Sequence, residues 1–263
     1  MDELRLDGRH AVVCGSTQGI GEASAQLLAE RGARVTLVAR NAEALEKVKS
    51  ALPPTESGEH RVLVADFSEP DTLRSRVEEH IASHGTAHIL VNNTGGPPAG
   101  PLIDAAPEAF VRALEMHVLC NHHLVQALVP GMRSDGYGRI ISVISTSVRE
   151  PIPNLGVSNT TRGAVASWSK TLSRELGKDG ITVNNVLPGF TETGRLASLI
   201  ATNAGKRGVD EGAIASEMKG KVPLGRFATA REVAHAVTFL ASPAAAYISG
   251  VSLPVDGGRI ASV

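Results

Sequence analysis

Aromatic residues are scarce in this chain: two tyrosines, one tryptophan and five phenylalanines among 263 residues. No stacking platform therefore hints at a ligand class. Cysteine is almost absent too. Cys14 and Cys120 have no metal-ligand spacing and suggest no disulfide framework, so no metal site is expected and a reducing, cytoplasmic setting fits. Neither sign of charge is in excess: 26 basic against 27 acidic residues leave a formal net charge of −1. That balance argues against a general nucleic-acid or anionic-membrane surface. No apolar run approaches the ~20 residues that span a bilayer. The start, Met1-Asp2-Glu3-Leu4-Arg5, lacks a basic segment and an apolar core, so no signal peptide is expected.

What is present is an alternation of short β-branched runs with helical patterns. Strands are expected at 10–14, 34–39, 61–65, 89–92, 139–143, 181–186 and 251–255. Runs without polar alternation are buried on both faces, and helices between them imply parallel crossovers. The expectation is an α/β fold: one Rossmann-type, doubly wound parallel sheet of about seven strands, flanked by helices, forming a single dinucleotide-binding domain over 1–263. Residues from about 194 to 221 are charged, rich in Ala and Gly, and lack a strand. They read as a helical insertion acting as a mobile lid, with a plain pair of surface helices as the alternative.

Gly15-Ser16-Thr17-Gln18-Gly19-Ile20-Gly21 joins the first strand to the first helix. Glycines there permit a tight turn and close approach of a pyrophosphate, and a helix N-terminus offers free N–H groups and positive dipole. Its Gly-x-x-x-Gly-x-Gly spacing resembles that of the short-chain dehydrogenase/reductase family. Asn92-Asn93-Thr94-Gly95, Pro188-Gly189-Phe190-Thr191-Glu192-Thr193 and Val255-Asp256-Gly257-Gly258 follow in the family's order and resemble its later signatures. The likeness covers nearly the whole chain and implies a nicotinamide dinucleotide as cofactor. By that resemblance Asp66 and Phe67 flank the adenine, Asn93 the adjoining ribose, with Thr94 and Gly95 beside it. Pro188, Gly189 and Thr193 lie at the nicotinamide end. The second strand ends in Ala39-Arg40-Asn41. Where a carboxylate would bind a ribose 2′-hydroxyl, Ala39 has none, and Arg40 offers a planar donor to a 2′-phosphate. NADP is therefore expected over NAD.

In the same family a Tyr donates a proton to the developing alkoxide, a Lys four residues on lowers its pKa, a Ser orients the carbonyl and an Asn supports a water path. Here Ser145 falls at the Ser position, but Ser158, Arg162 and His117 stand for Tyr, Lys and Asn. Ser158 and Arg162 remain i and i+4 on one helix face. A Ser hydroxyl is a far weaker acid than Tyr at ~10. Arg stays protonated, so it can hold an oxyanion or ribose hydroxyls but cannot shuttle a proton. Only His117 has an ordinary pKa near ~6.5, which makes it the expected proton donor, direct or through water. A packed helix histidine is the bland alternative for it, and a drifted, lost site is the alternative for Ser158 and Arg162. Tyr137 and Tyr247 precede the fifth and last strands, at the end opposite the cofactor, and neither is a topological substitute. Cys14 reads as a packing residue. His122 and His123 read as surface or interface residues. Glu150 and Asn154 are pocket-lining candidates or plain loop residues, and Gly95 to Pro101 forms the other wall.

Gly-Gly-Pro-Pro with Ser-Asn-x-x-Arg is similar to a divergent, 3-oxoacyl-(acyl-carrier-protein)-reductase-like branch. The expectation is an NADP-dependent oxidoreductase for a small carbonyl or hydroxyl compound, with an altered tetrad. The rivals are a silent NADP-binding sensor or partner subunit, and a lyase or isomerase. The resemblance also implies a homo-oligomer, tetramer or dimer, built through the helices around 116–128 and 162–176 and the last strand.

Overall fold

A computed structural model describes residues 3–262; Met1, Asp2 and Val263, with the part of the N-terminal reading that rests on the first two, lie outside the described residues. The β-branched runs form strands β1 (His10–Cys14), β2 (Arg34–Ala39), β3 (Arg61–Val64), β4 (Ile89–Asn92), β5 (Gly138–Val143), β6 (Ile181–Pro188) and β7 (Ser252–Val255). They build one seven-stranded sheet in the order β3-β2-β1-β4-β5-β6-β7. Every pair is parallel. The chain winds outward from β1 to β3 and then returns to β4. The strand order therefore reverses between β1 and β4, and a crevice opens beyond their C-terminal ends.

Helices α1 (Gly19–Glu30), α2 (Ala42–Ala51), α3 (Pro70–His84), α4 (Pro107–Leu114), α5 (Cys120–Ser134), α6 (Gly156–Leu176) and α9 (Ala230–Ala241) cover the sheet. On one side Ala25 and Leu28 of α1 and Val233, Val237 and Leu240 of α9 pack on Val13, Val35 and Ile141. On the other, Leu73 and Val77 of α3 and Leu124 and Leu128 of α5 pack on Val12, Leu90 and Ile140. Burying each such Leu contributes about 1.5–3 kcal/mol, so β1 and β4 are clamped from both faces. β6 runs past Val186, where the sequence pattern stops, because Leu187 and Pro188 continue the register with Pro254 and Val255.

The stretch expected as a helical insertion holds α7 (Gly194–Arg207) and α8 (Glu211–Gly220). Thr193 caps α7 by accepting a hydrogen bond from Leu196 N at 3.4 Å, and Asp210 caps α8 through Gly212 N at 2.7 Å. The two helices share a small core of Leu196, Ile200, Ala204, Ile214, Met218 and Phe227, apart from the two clusters on the sheet. No described helix is long and apolar enough to cross a membrane.

Candidate active site

At the crevice the first turn is shaped for close approach. Gly15 and Gly19 hold φ of +58° and +60°, in the left-handed region. A Cβ on Gly15 would lie 2.5 Å from the Asn93 carbonyl oxygen, and one on Gly21 would run into the Gly15 carbonyl. Asn93 Nδ2 donates to the Cys14 and Gly15 carbonyls, 3.3 Å each, and so ties the end of β4 to the turn. Ser16 is buried, whereas Thr17, Gln18 and Ile20 are not. Gln18 stands at the head of α1 and its side chain caps nothing, so the helix N-terminus keeps its N–H groups for a ligand. A Cβ on Gly19 would meet the Thr193 methyl at 3.1 Å, so the α7 cap sits against the same turn. Pro188 ends β6, and Gly189 lies so close to Asp256 that a Cβ would approach its Cα to 2.7 Å. This cradle of bare backbone fits a dinucleotide diphosphate.

At the end of β2, Arg40 is exposed, with its guanidinium 3.9 Å from the Asp66 carboxylate. Asn41 accepts a hydrogen bond from Ala44 N at 2.9 Å and is thereby the cap of α2. Asp66 is half-buried and accepts from Ser68 N, which holds its carboxyl below the usual range although burial opposes it. Phe67, expected with Asp66 to flank the adenine, turns its ring inward. Its side chain is buried among Leu73, Cys120 and Leu124, because apolar burial outweighs ligand exposure there. Only its backbone and Asp66 are left to face a base.

The catalytic candidates gather where β4 and β5 end. Ser145 is half-buried and accepts from Ser147 N at 3.0 Å, heading a short 3-10 turn. Ser158 is half-buried in the first turn of α6, and Arg162 lies one turn on. The Arg162 side chain is buried and donates to the Val143 and Thr94 carbonyls, 3.3 Å each. Burial, then the nearby Arg195 charge, lowers its pKa to about 10, so it stays cationic at neutral pH. His117 sits in a single π-helical turn, Glu115–Leu119, between α4 and α5. Such turns break the regular helix and recur at functional sites. Its Nδ1 is 2.6 Å from Thr94 Oγ1.

Burial sets the charge state of His117 apart from that of a free imidazole. The residue is 1% exposed. Desolvation, helped by the Arg162 charge, pulls its pKa down to about 3. At neutral pH the imidazole is therefore uncharged, and a resting imidazolium donor does not fit the site. Thr94 was expected only as a cofactor contact; its hydroxyl and carbonyl instead link His117 to Arg162. No local sequence pattern marks that link, which spans 23 residues in one direction and 68 in the other.

A cavity of about 380 Å³ lies between the Gly95–Pro101 segment and α4, with Met116, His117 and Val157 in its lining. The two loops flanking it are zipped together: Gly100 N donates to the Asn154 carbonyl at 2.8 Å. Glu150 does not line the cavity. Its Oε1 accepts from Ala261 N and Ser262 N, at 2.7 and 2.9 Å, and anchors the C-terminal segment. Asn154 is not in the cavity lining either; its carbonyl takes the Gly100 bond, and its backbone is left-handed with φ of 61°. Sequence reasoning missed Arg195, two residues beyond Thr193, whose Nη2 donates to the Pro97 carbonyl at 2.8 Å.

Neither tyrosine approaches this site. The Tyr137 hydroxyl donates to the Ala241 carbonyl, and the Arg9 and Arg139 guanidinium groups stack on its ring. Tyr247 is fully exposed before β7. Cys14 is fully buried and burial raises its thiol pKa, so it packs and does not attack. His122 and His123 are half-buried, and the His122 ring meets Trp168 edge-on at 6.4 Å.

Residues 15–259 match the family model described as enoyl-(acyl carrier protein) reductase. The chain is 34% identical to the 3-oxoacyl-(acyl-carrier-protein) reductase of Vibrio cholerae, over 97% of this chain and 98% of that protein. The L-sorbose reductase of Gluconobacter frateurii, solved with NADPH and L-sorbose, superposes with a TM-score of 0.92 and 32% identity, covering 99% of this chain and 100% of that one. The gluconate 5-dehydrogenase of Burkholderia cenocepacia, solved with NADP and tartrate, gives a TM-score of 0.88 and 30% identity, covering 100% and 99%.

Proposed function

The chain belongs to the short-chain dehydrogenase/reductase family, and from that premise we propose that it is an NADP-dependent oxidoreductase for a small carbonyl or hydroxyl compound, working through an altered tetrad. NADP is supported by the bare Gly15–Gly21 cradle, by Arg40 exposed where a carboxylate would select NAD, and by similar proteins solved with NADP(H). Gly15, Gly19 and the head of α1 hold the diphosphate, Arg40 the 2′-phosphate, Asp66 and Asn93 the adenosine, and Pro188, Gly189 and Thr193 the nicotinamide end. When bound, the dinucleotide supplies or accepts the hydride.

The observation that carries this reading is the buried Arg162 cation, held between the ends of β4 and β5 by the Val143 and Thr94 carbonyls. Ser145 and Ser158 orient the carbonyl by hydrogen bonding. Arg162 stabilises the oxygen as negative charge develops, which a fixed cation in a dry site does well. The proton then comes from water by way of the Thr94–His117 pair. The neutral ring accepts a proton at one nitrogen while releasing one at the other, so no resting imidazolium is needed. We also propose that α7 and α8 act as the lid over this site, and that the protein is a homo-oligomer.

A rival is favoured by one observation: none of the side chains that gather here is a resting acid near neutral pH. A silent NADP-binding protein would share these residues. NADPH oxidation across a panel of carbonyl compounds, run beside a NADPH binding titration, separates the two. Turnover supports the oxidoreductase. Tight NADPH binding with no turnover on any compound supports the silent protein.

A further inference from the structure

Two arginines converge on Gly96. A Cβ built there would lie 3.8 Å from the Nη2 atoms of both Arg162 and Arg195, so those nitrogens are no farther apart than twice that distance. Both are pinned to the same loop, Arg162 on the Thr94 carbonyl and Arg195 on the Pro97 carbonyl. A guanidinium has five N–H donors in a planar fork, so one or two carbonyls leave several unused. Several surface arginines find acids, as Arg133 holds Asp179, Arg207 holds Glu217, Arg226 holds Glu232 and Arg231 holds Glu30, while Arg76 and Arg149 bind single carbonyls and, among the described residues, have no arginine converging on them. Among the described residues, neither Arg162 nor Arg195 has a carboxylate at ion-pair distance. The adjoining cavity adds Arg112 and one acid, Asp104. Two like charges held this close without an acid are costly unless an anion comes between them. Gly96 keeps any side chain out of that place.

We propose that Arg195 pairs with a carboxylate on the substrate, and that the substrate is a 2-oxo or 3-oxo acid or the matching hydroxy acid. This rests on the oxidoreductase reading, with Arg162 facing the reacting oxygen. Charge-assisted hydrogen bonds of about 2.8 Å from each guanidinium consume most of the span between them. The reacting carbon and the carboxylate are then either bonded directly, as in a 2-oxo acid, or separated by one carbon, as in a 3-oxo acid. A 3-oxoacyl thioester has no charge at that distance, so free acids are favoured over acyl-carrier substrates. A pair of charge-assisted hydrogen bonds at a partly exposed site discriminates about 10- to 100-fold.

The test compares the wild-type protein with Arg195→Gln and Arg195→Lys on short 2-oxo and 3-oxo acids, their methyl esters and a 3-oxoacyl thioester. NADPH affinity is measured for each variant, and binding of the matching hydroxy acids in the presence of NADP+ is followed by calorimetry. The expected result is that the wild type prefers acid to ester by at least tenfold. Arg195→Gln raises KM for the acid at least tenfold, while kcat/KM for the ester and NADPH affinity change far less. Arg195→Lys restores part of the loss. Equal use of acid and ester, or of thioester and acid, overturns the proposal. So does a loss of NADPH affinity in Arg195→Gln, which would make Arg195 a cofactor contact. Hydroxy-acid binding that depends on Arg195, with no turnover of any compound, upholds the anion site and overturns the oxidoreductase reading.

Discussion

The Thr94 hydroxyl and His117 Nδ1 lie 2.6 Å apart, and the carbonyl of the same Thr94 takes a hydrogen bond from Arg162. One residue thus joins an imidazole to a guanidinium, and the cation helps burial to hold His117 neutral, with a pKa near 3.

A pH–rate profile tests the neutral ring. Between pH 5.5 and 8, kcat should show no break that belongs to His117, since its titration lies well below that range. His117→Gln should lower kcat about 100-fold or more, the usual scale for a positioned proton-transfer group, without moving any pKa in the profile. Thr94→Val should produce a similar loss. A break near pH 6.5 in the wild type that vanishes in His117→Gln would sink the neutral-ring mechanism.

Cofactor choice should turn on Arg40. Its guanidinium is largely exposed and 3.9 Å from Asp66, so little holds it in the protein except a ligand. Arg40→Ala should weaken NADPH binding about tenfold, the scale of one or two charge-assisted contacts, and leave NADH binding within about twofold. A fluorescence titration with both dinucleotides reads this directly. Equal affinity of the wild type for both would show that Arg40 is only a solvated arginine.

Arg162→Lys keeps the charge and loses the fork. A lysine reaching from α6 cannot hold the Val143 and Thr94 carbonyls with the same planar geometry. Thermal unfolding should fall by several degrees, because a buried carbonyl loses its donor at a cost of about 1–3 kcal/mol. Turnover should fall as well. An unchanged melting temperature would mean that those bonds carry no stability.

Acid should destabilise the fold before its carboxylates titrate. Burial depresses the folded-state pKa of His10 to about 3, of His80 to about 4 and of His117 to about 3. His10 and His80 share the Thr36 hydroxyl, and His10 also faces Arg34 and His88. In the unfolded chain each imidazole takes a proton near pH 6.5. The unfolded state therefore binds more protons below that pH, and stability, complete above it, is lost as pH falls toward 4 and 3. Melting temperature should drop between pH 6.5 and 5, and His80→Gln should flatten that slope. A flat wild-type curve over this interval would mean that the histidines are solvated.

The strands were legible because burial on both faces leaves a local mark, an uninterrupted β-branched run. Val12 and Leu90 sit in such runs and end up wholly inside. The glycine turn was legible for a similar reason, since positive φ at Gly15 and Gly19 demands a residue type. The inward turn of the Phe67 ring was not legible, because a core phenylalanine and a ligand-facing one look the same in a string of letters. Arg195 was passed over because an exposed arginine on a helical insertion has no distinguishing neighbour in sequence.

The amino-acid sequence alone determined where the strands lie, the nucleotide cradle and the loss of the Tyr and Lys, all properties of residue type and short-range spacing. Tertiary structure alone decided that His117 is neutral, that Thr94 joins it to Arg162, and that Arg162 and Arg195 face one place across Gly96. Those are sums of desolvation and through-space charge over groups far apart in the chain, and such sums exist only once the sheet has brought them together.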